Sequence, residues 1–185
     1  MNVSRIKRRL ESKGVRFERG LTAGEIAQAE RVYEFRFPPD LRELLEHALP
    51  AGGSFPNWRG FSEQNVRAVR ERLGQPLEGI LFDVRHNAFW HESWGERPNE
   101  LREALKTAER RCAEWPRLIP IYSHRYLPET PNEAGNPVFS VYQTDVIYYG
   151  ANLEEYLEAE FGLKPYENIA WEPVKSIEFW GEMTS

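Results

Sequence analysis

The stretch from Arg117 to Gly150 constrains the fold more than any other part of the chain. It reads Arg-Leu-Ile-Pro-Ile-Tyr-Ser-His-Arg-Tyr-Leu-Pro, then a polar loop, then Gly-Asn-Pro-Val-Phe-Ser-Val-Tyr-Gln-Thr-Asp-Val-Ile-Tyr-Tyr-Gly. Three β-rich runs divided by Pro, Gly and Asn suit consecutive strands of one sheet. Among them stand His124, Arg125, Gln143 and Asp145, side chains that a sheet does not need in order to pack.

A chain of 185 residues fits one domain. At that size it buries roughly 70% of the surface its unfolded form exposes, so it needs neither a disulfide nor a structural metal. Cys112 is the only cysteine, which rules out an intrachain disulfide and suits a reducing cytoplasm. Met1 to Leu10 is basic and holds only Val3, Ile6 and Leu10 as larger apolar positions beyond Met1, too few for the core of a signal peptide. No run approaches the roughly 18 apolar residues of a spanning helix. A cytoplasmic protein without a membrane segment is expected.

The formal charge of −5 argues against general nucleic-acid binding. It is unevenly placed. Residues 1–19 hold seven Lys or Arg against two Glu, whereas residues 151–185 hold two Lys against eight Glu. Two solvated faces, or a basic N-terminal arm that touches an acidic partner, both fit this pattern.

Val3, Ile6 and Leu10 follow helical spacing, and Gly14 suits the left-handed turn that ends a helix. Thr22 with Glu25 predicts a capping box, followed by the apolar stripe Ile26, Ala29 and Tyr33. Pro38-Pro39-Asp40 opens a third helix whose buried face is Leu41, Leu44, Leu45 and Ala48, stopped by Pro50 to Gly53.

Leu21-Thr-Ala-Gly-Glu-Ile, the second helix, Phe37-Pro-Pro-Asp-Leu-Arg-Glu-Leu-Leu and a Gly-Gly turn together resemble the opening of the SUKH superfamily, the Smi/Knr-type proteins. Phe37 and Ala51 stand where Leu and Asn are commoner. The close of the β region resembles that family too: a short turn, Asn152 with Glu155 as a second capping box, and an acidic helix from Leu153 to Phe161 with Tyr156 and Leu157 inward. The resemblance spans about residues 20–162. It implies a non-catalytic domain that works through protein contacts, as an immunity protein bound to a cognate toxin or as a regulator of cell-wall assembly.

Between these ends the pattern predicts a short helix over 63–73, a break at Gly74 to Pro76, and a strand over Leu77 to Val84. The run Arg85 to Gly95 holds two His, two Trp and a Phe. It suits either a loop that shapes a pocket or one that plugs an end of the sheet. Asn99 is a candidate cap for a helix through Trp115, with Leu101, Leu105, Ala108 and Cys112 inward. Arg110 and Arg111 precede Cys112 and would lower a thiol pKa. Its place on the apolar stripe reads instead as core. Residues 163–185 end in Ile177, Phe179 and Trp180, an apolar tail expected to lie back on the domain.

Most catalytic signatures fail, and a carboxylate pair stays open. Asp83, His86, His91 and His124 are possible metal ligands, but His91-Glu92 lacks the second His of a zinc-protease motif. Ser123 and His124 are chain neighbours without a nucleophile elbow. Asp83, Glu129, Glu133 and Asp145 offer carboxylates whose separation sequence does not fix. Ala51-Gly52-Gly53 lacks the Lys-Ser/Thr of a phosphate loop. No cofactor and no metal is expected.

A polar-aromatic set remains. Trp58 and Arg59 precede the first helix of the middle region. Asp83, His86 and Trp90 lie on and after the predicted strand. Tyr122, His124, Arg125, Tyr126, Gln143, Asp145 and Tyr148 belong to the β region. On a single strand from Tyr142 to Tyr149, Tyr142 and Tyr148 would share one face and Gln143 and Asp145 the other. Asp145 is then placed to hold Arg125 or His124. The set reads either as a network tying loops to sheet or as a groove for a partner.

The expected architecture is one α+β domain over 1–185: a mixed, largely antiparallel sheet covered by N-terminal helices, with an inserted helix at 99–115. The expected partner is a toxin or another protein, and the oligomeric state stays open. A small-ligand binder or minor hydrolase using His86, His124, Arg125 and Asp145 is the alternative.

Overall fold

The structure is a computed structural model that describes residues 1–172 and 174–184. Helix α1 (Val3–Glu11) buries Val3, Ile6 and Leu10, and Gly14 takes the left-handed conformation (φ +87°) that turns the chain into β1 (Arg16–Arg19). Thr22 and Glu25 form the expected capping box at the start of α2 (Ala23–Tyr33). Helix α3 (Pro39–His47) runs straight into β2 (Ala48–Ala51), which pairs antiparallel with β1. This two-stranded sheet is not legible in the sequence. Each strand has four residues, and Pro50 sits where only an edge strand tolerates it.

The middle of the chain departs most from expectation. Residues expected as a helix, a break and a strand form one helix, α4 (Glu63–His86), with Pro76 inside it. Val69, Pro76, Ile80, Asp83 and Val84 are its buried positions, a helical and not an alternating spacing. Pro76 has no N–H to give the carbonyl of Arg72, one turn earlier. The Tyr126 hydroxyl reaches that carbonyl instead, at 3.3 Å, and shares its proton with Gln75 Oε1 at 3.1 Å. The helix therefore continues where sequence rules end it.

After a loop and a 3-10 turn at Glu92–Trp94, α5 (Leu101–Cys112) starts from Glu100 with no side-chain cap, so Asn99 does not cap it. Its buried residues are Ala104 and Ala108, while Leu101 is exposed. Cys112 is half-buried, and burial pushes its thiol up to about 12, so the neighbouring arginines do not activate it.

Strands β3 (Leu118–Tyr122), β4 (Arg125–Pro128), β5 (Val138–Tyr142) and β6 (Asp145–Gly150) form a four-stranded antiparallel sheet in chain order. The expected single strand over Tyr142 to Tyr149 is divided: Tyr142 pairs with Asp145 across a two-residue turn at Gln143-Thr144, where Gln143 is left-handed (φ +56°). A matching turn at Ser123-His124 joins β3 to β4. Because strands alternate in direction, both turns lie at the same end of the sheet.

Apolar residues point from both faces of this sheet, so it is covered twice. On one face Ile119, Ile121, Leu127 and Val138 pack with Ile6, Ile26, Leu44 and, from α6 (Leu153–Glu160), Leu157. On the other face Leu118, Tyr126, Phe139 and Val141 pack with Ile80, Val84, Ala108, Trp94 and Trp115. The tail folds back as expected: Ile177 and Trp180 join the second core, and Trp180 Nε1 donates to the Pro116 carbonyl at 2.6 Å. A parallel bridge joins Val146 to Thr184. The expected α+β class is what the structure has.

Part of the uneven charge is paired within the chain. Arg5 pairs with Glu154 and Arg9 with the buried Glu158, which closes basic α1 onto acidic α6. The N-terminal basic segment is thus not a free arm, while Arg8, Lys13 and Arg16 stay exposed to solvent. Glu155 does not complete the expected second capping box. Asn152 still caps α6, but the Glu155 carboxylate holds Lys164 at 2.6 Å.

Gly79 fixes how closely α4 rides on the β5–β6 turn. A Cβ there would lie 2.7 Å from the Gln143 Cα. In a free helix, Gly→Ala gains about 1 kcal/mol. Here Gly79→Ala is expected to lose about 1–3 kcal/mol, as overpacking does, and urea denaturation reads the sign. A stabilised variant would contradict this contact.

Candidate functional site

The polar-aromatic set does not form one site. Trp58 is a core residue, 2% exposed, ringed edge-on by Tyr33, Phe35 and Phe37. Arg59 clamps β1 to α2. It holds Glu18 at 2.5 Å and Glu25 at 3.1 Å, and donates to the Arg19 and Gly20 carbonyls. These two belong to the scaffold.

Arg125 and Tyr126 are adjacent on β4 and therefore point to opposite faces of the sheet. Arg125 is 9% exposed and lies over the Tyr149 ring at 3.7 Å, with Glu160 at 3.2 Å and Ser140 Oγ at 2.9 Å. Tyr122 packs with Phe55 and Phe161. Asp145 was expected to hold Arg125 or His124. It is exposed at the head of β6, and Glu160 takes its place. The reason is the Gln143-Thr144 turn: β6 begins at Asp145, so the alternation counted from Tyr142 does not carry across.

Asp83, on the inner face of α4, ties the helix to the same turn. Its Oδ2 accepts from the Thr144 backbone N–H at 3.0 Å and from the Thr144 hydroxyl at 2.6 Å, and Oδ1 accepts from Asn87. Burial pushes this carboxyl up, but the bonds from Thr144 and Asn87 outweigh it and hold the pKa below the usual range. His86 is exposed in the last turn of α4, its ring 4.5 Å from that of Phe82. Trp90 stands edge-on to Trp94 and donates to the Gly95 carbonyl, so the tryptophan-rich loop largely plugs the second core. Tyr148 packs on Phe139 in that core.

Three of the expected residues do meet. His124, Tyr126 and Gln143 line an open groove of about 640 Å³ between α4 and the two turns. Four further side chains from α4, Arg72, Gln75, Glu78 and Phe82, do not stand out in the sequence, and Ser123 and Tyr142 join them from the two turns. Reading 77–84 as a strand hides Glu78 and Phe82, whereas Arg72 and Gln75 fall in the expected helix end and break, which carry no groove signal. With α4 read as one helix, Ile80 and Val84 face inward and Phe82 outward, which is the signal that would have found it.

Ser123 Oγ lies 3.1 Å from His124 Nδ1, but the two are turn neighbours, and the nearest charge on His124 is cationic. Burial, and then the Arg125 charge, lower the His124 pKa, which keeps the ring neutral at pH 7. Among the described residues no three His, Cys, Asp or Glu side chains gather as metal ligands. No described helix is long and apolar enough to cross a membrane. Set against known proteins, the chain matches no family model, no curated protein and no solved structure.

The Asp83 tie has a pH signature. A carboxyl whose folded pKa lies below its unfolded value of about 3.9 adds stability that is complete above that value and lost as pH falls through the folded one. Asp83→Asn is expected to cost about 1–3 kcal/mol at pH 7 and to flatten the loss of stability below about pH 4. Denaturant midpoints at pH 7 and across the acid range check both.

Proposed function

We propose that this protein is a non-catalytic, cytoplasmic binding module of the SUKH type, immunity-like or regulatory, and that its partner protein seats in the groove between α4 and the β3–β4 and β5–β6 turns. One observation carries the reading. Tyr142 is 68% exposed and Phe82 45% exposed, and both line this groove. Large aromatics left to water and set together among polar groups are the usual anchors of a protein interface.

The scaffold supports the reading from behind. Gly79 and Asp83 fix α4 against the β5–β6 turn, so the two rings stand on rigid elements and cost little entropy to order on binding. The sequence resemblance points the same way, toward a domain that recognises a protein. The alternative constellation of His86, His124, Arg125 and Asp145 has less behind it, because Arg125 lies on the far face of the sheet and pairs with Glu160.

The double variant Phe82→Ser/Tyr142→Ser is expected to keep the melting temperature within about 4 °C, since neither side chain belongs to a buried core. It is expected to lose the partner that the tagged wild-type chain retains in its native cell, a neighbouring toxin gene product being the first protein to assay. Retention at wild-type level would contradict the groove assignment.

A further inference from the structure

The floor of the groove holds a cation without an anion. Arg72 Nη2 donates to the Ser123 carbonyl at 2.9 Å, and no acidic side chain among the described residues pairs with this guanidinium. A guanidinium carries five N–H donors, and among the described residues this one, on the groove wall, makes that single hydrogen bond. Its surroundings are costly for a lone charge: burial lowers the Arg72 pKa, and only the tyrosine hydroxyls of Tyr126 and Tyr156 act the other way. Elsewhere in the fold Arg9, Arg59 and Arg125 each have a carboxylate.

The neighbouring groups include further donors. Gln75 Oε1 is taken by the Tyr126 hydroxyl, which leaves the Gln75 NH₂ to donate. His124 and Gln143 stand across the groove. Glu78 lies on the same lining, six residues after Arg72, or about 9 Å along the helix. One fork-shaped cation with an acidic group on the same wall favours a planar monoanion over a phosphate dianion.

Resting on the groove as the partner's seat, we infer that its occupant presents a carboxylate to Arg72: an Asp or Glu side chain of the partner protein, next to an aromatic residue whose ring lies against Phe82 and Tyr142. A partner carboxylate would supply the counter-charge Arg72 lacks. A buried pair made only in the complex gives specificity, since a partner with an amide there leaves Arg72 unpaired.

The test uses the whole ¹⁵N-labelled chain and two probes, Ac-Phe-Asp-Phe-NH₂ and Ac-Phe-Asn-Phe-NH₂, followed by amide shifts. The Asp peptide is expected to move Gly79, Ser123, His124 and Gln143, and the Asn peptide to bind about tenfold more weakly. Arg72→Gln should bring the Asp peptide down to the Asn peptide's affinity, with Arg72→Lys between. The wild-type comparison of the two peptides stands even if an Arg72 variant folds poorly. Equal binding of both peptides in the groove would overturn the carboxylate and leave the groove as a protein seat. Shifts elsewhere, or none at millimolar peptide, would overturn the inference, while the Phe82/Tyr142 capture experiment still judges the groove separately. Sodium phenylacetate binding as tightly as the Asp peptide, or inorganic phosphate displacing it, would overturn the assignment to a peptide carboxylate.

Discussion

A proline inside a helix leaves one carbonyl without its donor, and the rest of this structure depends on what that carbonyl finds. Pro76 strands the oxygen of Arg72 in the middle of α4. An interior proline costs a helix about 3 kcal/mol, so a 24-residue helix through it needs compensation. The Tyr126 hydroxyl supplies it from the sheet. That phenol is buried, and burial pushes its pKa up to about 12, so it remains a donor at any physiological pH. One hydrogen bond thus repairs the helix and docks it.

Much follows from that docking. Beyond Pro76 the helix presents Ile80 and Val84 to the second core, while Val69, before it, belongs to the first. A single element therefore links the two apolar layers on either side of the sheet. Gly79 lets its backbone close on the β5–β6 turn, and Asp83 accepts two bonds from Thr144 there. With the inner face of α4 held so tightly, the side chains on its outer face have no core to enter. Phe82 and Arg72 are left facing the space beside Tyr142, and the groove is the result.

Much of this was legible in the residues alone. The Thr22–Glu25 box, the stripes of α1, α2 and α3, the β-rich region after Leu118 and the returning Ile177–Trp180 tail all follow from local pattern, because local energetics and packing agree there. The strand expected over 77–84 fails for a reason that sequence cannot carry: the Tyr126 hydroxyl that rescues Pro76 is 50 residues away. The Gln143-Thr144 turn was missed because a left-handed glutamine bears no turn signature. Of the groove lining, His124, Tyr126 and Gln143 stand out in the sequence, whereas reading 77–84 as a strand hides Phe82, reading 142–149 as one strand hides the turn beside Tyr142, and Arg72 carries no local signal. Trp58, Arg59 and Arg125 stand out by residue type, yet each is used by the scaffold.

Recognition in this account is a by-product of how the helix is fixed to the sheet, so the decisive measurement is on that joint. Tyr126→Phe removes the hydroxyl, and Pro76→Ala restores an N–H one turn after Arg72. A double-mutant cycle by denaturant unfolding is expected to give a loss of about 1–3 kcal/mol for Tyr126→Phe in the wild-type chain. The loss should be well under half as much in the Pro76→Ala background, where the helix satisfies its own carbonyl. Equal losses in both backgrounds would mean that the hydroxyl does not serve the Arg72 oxygen, and would contradict the account of how α4 is held.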